Sequence, residues 1–169
     1  MHIINTALLD ELIAQARIAP RRRAIKCLHQ GDWEHAHRML NALTPGTYVC
    51  PHRHPNEHKG EGFILLRGQL AVLIFDEAGQ VNYGQSRLLA WEQGCLGMDI
   101  PPGVWHSLVA LTDSVIYEVK GQPNGGYSQA TDKEFAPWAP AEGAEGAAAY
   151  CRQLEAEAQR LSEQPTTAA

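Results

Sequence analysis

The chain has 169 residues, 44% of them hydrophobic and 20% charged, with a formal net charge of −5 and eight histidines. This length and composition predict one globular domain with a substantial core, and the acidic balance argues against nucleic-acid binding, which normally needs a basic surface. No apolar stretch approaches the ~20 residues that a membrane-spanning helix requires.

The cysteines and the N-terminus indicate the cellular setting. The four cysteines form no C-x-x-C pair, so neither a zinc knuckle nor a redox dithiol is indicated. The N-terminus lacks the basic region and apolar run of a secretory signal. We therefore predict a cytoplasmic protein with free thiols.

The first 45 residues are predicted to be helical. Residues 6–17 place leucines and an isoleucine at helical spacing, and Thr6 is the predicted N-cap. A second helix is predicted to begin at Asp32 and to end before Pro45-Gly46. Residues 1–45 are therefore expected to form an N-terminal helical segment that packs on a barrel.

The pattern changes to a β pattern in residues 46–120. Short apolar or alternating runs are separated by turn residues, which is typical of a sandwich or barrel. We predict a mainly β fold with one barrel. The predicted strands lie near residues 47–53, 61–67, 69–75, 81–90, 96–100, 104–111 and 114–120.

The last part of the chain is predicted to wrap the barrel. Residues 121–143 are rich in Gly, Pro and Ala and are expected to form a tail. Residues 145–163 have apolar side chains near helical spacing, and Gln164 begins a polar, frayed end. Residues 121–169 are thus a C-terminal wrapping segment with a helix.

Three histidines and one glutamate form the most informative pattern. His52 and His54 are two residues apart, so their side chains would face the same side of a strand. Together with Glu61 and His106 they could hold one divalent metal ion and leave a position open for a ligand. Imidazole and carboxylate ligands suit Zn, Fe, Ni, Mn or Co.

The surroundings of these residues resemble the two cupin motifs. The first is matched by Gly46, His52-x-His54, Glu61 and Gly68, and the core of the second is matched by Pro101–His106. The gap between His54 and Glu61 is wider than in the usual motif, the leading glycine of the second motif is displaced to Gly94, and Ala110 replaces its usual asparagine.

The wider gap leaves two candidates for the fourth ligand. His58 lies at the usual spacing from His54, whereas Glu61 keeps the usual interval to Gly68. We favour Glu61, and His58 stays open as the alternative.

Within the cupins, the chain resembles the WbuC-type metalloproteins over roughly residues 18–150. The resemblance implies a single double-stranded β-helix, or jelly-roll barrel, flanked by helices, with one bound divalent metal ion and a link to surface-polysaccharide biosynthesis. Analogy with cupins also implies a homodimer. The matching segments are Arg21–Arg23, His29, Leu40–Val49, Pro51–His54, Val104–His106 and Phe135–Pro140.

Strand alternation nominates residues that line a substrate pocket. Tyr48 shares the face of His52, and Phe63 shares the face of Glu61, although both could be core residues instead. Glu118 is an acid within an apolar strand, where it could act as a general base, support a metal ligand or point to solvent. Arg21 and Arg23 could bind an anionic group at the barrel mouth or lie in a solvated loop.

These features favour a metalloenzyme that acts on a small polar metabolite, such as a sugar or nucleotide-sugar. Isomerase, epimerase or lyase chemistry would suit a redox-inert metal, and an Fe(II) ion would allow a dioxygenase reaction. The alternative is a non-catalytic cupin that binds or senses a small ligand. We expect neither nucleic-acid nor membrane partners.

Overall fold

The computed structural model of the protein describes residues 1–122 and 127–163. Within these ranges lie three helices: α1 (Thr6–Ile18), α2 (Gln129–Asp132) and α3 (Ala147–Ser162). None of the helices in the described ranges is long and apolar enough to cross a membrane. The strands described there are β1 (Arg23–Cys27), β2 (Ala36–Leu43), β3 (His52–Arg53), β4 (Glu61–Arg67), β5 (Gln69–Ile74), β6 (Arg87–Ala90), β7 (Gly97–Ile100), β8 (His106–Ala110), β9 (Ser114–Gly121) and β10 (Glu134–Phe135).

The strands form two antiparallel five-stranded sheets. Their orders are β1-β2-β9-β4-β7 and β10-β3-β8-β5-β6. Neighbouring strands in each sheet are often distant in the chain, as in a jelly roll. The prediction of a mainly β, double-stranded β-helix barrel with flanking helices is confirmed.

The core fills the space between the two sheets and continues under the helices α1 and α3. In β5, Leu70, Val72 and Ile74 face the opposite sheet, whereas Ala71 and Leu73 face α3. The helix α1 covers the outer side of the first sheet, where it packs on Leu40, Ala42 and Val115. Each helix buries the outer face of one sheet, so strands such as β5 are apolar on both faces.

The predicted second helix is absent, and its residues form strand β2. Met39, Asn41 and Leu43 face the barrel interior, while Leu40 and Ala42 pack beneath α1. Because both faces of this strand are covered, its apolar residues do not alternate with polar ones and imitate a helical pattern. Residues 23–43 therefore contribute β1 and β2 to the first sheet, where the sequence predicted a helical segment.

The other predicted helices are close to the structure, whereas the strands predicted for residues 47–53 and 81–90 are shorter, at His52–Arg53 and Arg87–Ala90. Helix α1 is capped by Asn5, whose side chain accepts a hydrogen bond from the Leu8 amide at 3.0 Å, so Thr6 is the first helical residue and not the cap. Helix α3 matches the helix predicted for residues 145–163. The predicted tail holds α2 and β10, and the polar end from Gln164 lies outside the described residues.

Candidate metal centre

The four predicted ligands converge from both sheets. His52 of β3 is the cross-strand partner of His106 of β8, His54 follows β3 directly, and Glu61 begins β4 in the other sheet. One potential ligand atom from each residue lies within 4.8 Å of all the others. The four residues are only 1–5% exposed, so polar groups that would otherwise be costly to bury are gathered at one point.

Backbone carbonyls orient all three imidazole rings. A carbonyl oxygen only accepts hydrogen bonds, so each ring must donate from Nδ1, which leaves the lone pair of Nε2 for a ligand. The same arrangement fixes histidines in known metal sites. The three bonds join His52 to Cys50 O at 2.9 Å, His54 to Asp132 O at 2.6 Å, and His106 to Val104 O at 2.9 Å.

The Nε2 atoms show that a cation fits this group. Nε2 of His54 is buried without a hydrogen-bond partner among the described residues, although it lies 3.3 Å from Glu61 Oε2. Nε2 of His106 lies 3.0 Å from the same oxygen, while its Nδ1 already donates to a carbonyl. A divalent metal would satisfy the orphaned nitrogen and the carboxylate together.

The electrostatics of the group also suit metal ligands. Burial and the neighbouring His106 ring lower the pKa of His52 well below its usual range, which keeps that ring neutral. Burial alone would raise the pKa of Glu61, but His106 and His54 hold the pKa of that carboxyl well below its usual range. Neutral imidazole and ionised carboxylate are the forms that bind metals.

A turn before β8 ties the two motifs together. The Gly103 amide donates to the carbonyl of His54 at 2.8 Å. Gly103 has φ +80°, a conformation that favours glycine. The Pro-x-Gly segment therefore holds the backbone of the first motif in addition to leading into His106.

The structure distinguishes Glu61 from His58, the alternative fourth ligand. The His58 side chain is 71% exposed and lies 3.7 Å from Glu57, outside the buried group. The loop of residues 55–60 instead carries Lys59 into the interior, where it is 2% exposed. Glu61 is therefore the residue that accompanies the three histidines.

His52, Glu61 and His106 line a cavity of about 360 Å³. Phe63, Arg23 and Glu118 line it as well. Strand alternation from Glu61 predicted the position of Phe63, whereas the sequence left a solvent-facing position open for Arg23 and Glu118. Glu118 hydrogen-bonds to Glu61 and accepts a hydrogen bond from Asn41. Burial and the charge of Glu61 raise the pKa of Glu118 well above its usual range.

Two predicted pocket residues lie elsewhere. Tyr48 packs in the core beneath α3, and its hydroxyl donates to Pro140 O at 2.6 Å. Residues 47–51 are not part of a ladder, so strand alternation does not apply there, and Val49 faces the cavity instead. Arg21 does not line the cavity, because its guanidinium pairs with Glu142 at the surface.

A second cluster lies at the cavity mouth. His29, Asp32 and His37 bring potential ligand atoms within 4.8 Å of one another. The two rings are stacked, with centroids 4.0 Å apart and planes at 12°. Nδ1 of His29 lies 3.0 Å from Arg38 O, and Nε2 of His37 lies 3.4 Å from Asp32 O. One nitrogen of each ring is therefore already in contact with a backbone oxygen.

Three buried or partly buried lysines lie beside the metal group and were not predicted. Lys59 and Lys120 both pair with Asp132, which is 2% exposed, and Lys133 lines the cavity. Alternation along β9 places Lys120 on the face of Glu118, so the sequence held a signal for it. Asp132 and Lys133 lie in the tail, where no periodic sequence pattern indicates which side chains face the interior.

Comparisons with known proteins support the fold. Residues 4–86 match a family model described as a domain of unknown function, DUF6016. No curated protein matches the chain.

Two solved structures are similar to the chain. One is a conserved protein of unknown function from Streptococcus pyogenes, with 17% identity, a TM-score of 0.52, and coverage of 73% of this chain and 90% of that chain. The other is an uncharacterised protein with a double-stranded β-helix domain from Klebsiella pneumoniae, with 14% identity, a TM-score of 0.53, and coverage of 80% of this chain and 97% of that chain. The chain thus has the double-stranded β-helix fold that defines the cupins.

Proposed function

We propose that the protein binds one divalent metal ion through His52, His54, Glu61 and His106 and is an enzyme that acts on a small polar metabolite. The observation that carries the proposal is the convergence of these four buried groups, three of which (His52, Glu61 and His106) line a cavity of about 360 Å³. Orphaned Nε2 of His54 and the carbonyl-anchored rings support metal binding, and the cavity supports access by a ligand.

The residues around the cavity suit proton transfer. A bound metal ion would supply a Lewis acid that polarises a carbonyl or hydroxyl group. Glu118 lies in the cavity wall beside Glu61, and Asn41 orients its carboxyl group. We assign Glu118 the movement of a proton to or from the ligand, while Phe63 shields the site from water. Isomerase, epimerase or lyase chemistry follows from such a pair of roles.

The resemblance to WbuC-type metalloproteins supports a sugar or nucleotide-sugar as the substrate and a role in surface-polysaccharide metabolism. It rests on the segments around the metal group, Pro51–His54 and Val104–His106, and on Phe135–Pro140 in the tail. The cytoplasmic location and the homodimer stay predictions.

The metal assignment is tested by elemental analysis of protein purified without added metal. Wild-type protein should carry about one equivalent, and the double variant His52→Ala/His106→Ala should carry none, because two of four ligands are lost. His58→Ala is the matched control and should keep its metal, since that ring is exposed. Full metal in the double variant would overturn the assignment. The element found also decides between redox-inert chemistry and an Fe(II) dioxygenase.

Catalysis is tested by incubating the metal-loaded protein with a panel of sugars and nucleotide-sugars and following them by NMR. Turnover that disappears in Glu118→Gln, with metal content unchanged, would support the proposed role of Glu118. Ligand binding without turnover in the wild type would establish the alternative, a binding or sensing cupin.

A further inference from the structure

Three of the four lysines in the chain lie near Asp132: Lys120 and Lys133 line the cavity with Asp132, and Lys59 pairs with Asp132. Nζ of Lys59 lies 2.7 Å from Asp132 Oδ1, and Nζ of Lys120 lies 3.1 Å from Asp132 Oδ2. The Asp132 carboxylate is therefore shared between two ammonium groups. A third positive charge lies nearby and forms no ion pair with Asp132 within 4.0 Å.

Lys133 is that third charge. It lines the cavity together with Lys120, and its side chain is only partly exposed. No hydrogen bond or ion pair within 4.0 Å joins its ammonium group to the parts of the chain that the structure describes. Burial and the neighbouring Lys120 ammonium lower the pKa of Lys133, and together they outweigh the opposite effect of the Glu61, Asp132 and Glu118 carboxyl groups.

The carboxyl groups that line the cavity form no ion pair with Lys133 within 4.0 Å among the described residues. Glu61 belongs to the metal group, and Glu118 is hydrogen-bonded to Glu61 and Asn41. Asp32 lies at the mouth, beside the two stacked histidines. A metal ion bound by the four ligands would add positive charge to the same cavity.

A partly buried ammonium that faces a cavity without a counter-ion is unfavourable unless a ligand supplies the opposite charge. We infer that the cavity binds a small organic anion, with its carboxylate or phosphate group on Lys133 and Lys120 and its remaining atoms facing His52, His106 and Glu118. The volume of about 360 Å³ lies at the small end of ligand cavities, which span roughly 300–1,000 Å³, and suits a small metabolite.

This inference deepens the proposed function and rests on it only for the part of the ligand that faces the metal group. Anion binding to Lys133 can be measured apart from catalysis and apart from the metal. The carboxylate and phosphate sources share one chemistry, and separate titrations distinguish them.

The test is isothermal titration of the full chain, as purified and after chelation of metals, with three probes: inorganic phosphate, malonate and neutral glucose. We expect at least one anion to bind with an affinity at least 10-fold above that of glucose. Lys133→Met should weaken that binding at least 10-fold, and Lys133→Arg, which keeps the charge, should retain most of it. The tighter anion identifies the charged group of the ligand.

Lys26→Met is the matched control. Lys26 is the one lysine in the chain outside the cluster, and its neighbours on β1, Ile25 and Cys27, line the cavity, so Lys26 points to the other face. Binding by this variant should equal that of the wild type.

The inference is overturned if both anions bind Lys133→Met as tightly as they bind the wild type, or if neither anion binds the wild type. Circular dichroism and the binding of Lys133→Arg keep the test decisive if Lys133→Met is unstable. Metal content of the same samples separates the two proposals. Lys133-dependent anion binding in a protein that carries no metal as purified would uphold this inference and count against the metal assignment. A protein that carries metal as purified and binds neither anion would do the reverse.

Discussion

Asp132 is expected to be one of the residues on which stability depends most. Its carboxylate is 2% exposed and separates two buried ammonium groups, those of Lys59 and Lys120. The substitution Asp132→Asn preserves the shape of the side chain and removes its charge. Two buried lysines are then left without a counter-ion, and one of them must lose its proton or move towards water.

The expected loss can be estimated from the burial. Removing one partner of a buried ion pair typically costs about 3–5 kcal/mol, because the remaining charge is uncompensated. For a protein of this size each kcal/mol lowers Tm by about 2–4 °C, so we expect a fall of about 6–20 °C. Scanning calorimetry and urea unfolding at neutral pH measure both quantities.

Asp113→Asn is the matched control, since it removes a carboxylate from an ion pair with Arg17, whose side chain is 65% exposed. Exposed pairs contribute below about 1 kcal/mol, so Tm should fall by less than about 4 °C. Adding Lys59→Met to Asp132→Asn should recover part of the loss, because one uncompensated charge is removed. Equal losses in Asp132→Asn and Asp113→Asn would refute the reasoning.

Three further predictions concern glycine, tyrosine and assembly. Gly68 and Gly103 both have positive φ, but a Cβ on Gly68 would lie 2.4 Å from Asp113 O, whereas a Cβ on Gly103 meets nothing within 4 Å. In urea unfolding, Gly103→Ala should cost about 1–2 kcal/mol and Gly68→Ala more, and the reverse order would contradict the geometry. Burial raises the pKa of Tyr150 to about 12, so the free energy of unfolding should fall as the pH rises from about 10, its ordinary value, to about 12. Tyr150→Phe should reduce this loss of stability at alkaline pH, which is measured as the urea midpoint at each pH. The same pH dependence in the variant and the wild type would contradict the prediction. Sedimentation should show a dimer, and a monomer at high concentration would contradict that expectation.

The four candidate ligands could be predicted from the sequence because their residue types and spacing match two recognisable motifs. His52 and His54 lie on a two-residue interval, and a turn marked by Gly103 precedes His106. The interval from Glu61 to Gly68 favoured Glu61 over His58, but it did not show which residues of the intervening loop face inward. That direction is set by the ion pair of Lys59 with a residue in the tail, which no local pattern reveals.

Strand β2, which is covered on both sides, could not be predicted from periodicity. Strand β2 lies between the barrel interior and α1, so its apolar residues have no period of two. The prediction that Tyr48 lines the pocket was wrong for a different reason. The chain before β3 has no ladder partners, so its side chains need not alternate. Both errors arose where tertiary contacts override the local backbone preference.

The carbonyl of Asp132 that orients His54 has a consequence for the order in which the protein is made. All four candidate ligands lie within the first 106 residues, yet the anchor of one ring and the strand β10 that pairs with β3 come more than 20 residues later. A nascent chain that has released only its barrel therefore carries every ligand but lacks the contact that aims His54. The arrangement of the four candidate ligands is completed only when the tail has docked, so under the proposed function we expect metal capture to follow synthesis of the tail rather than synthesis of the barrel.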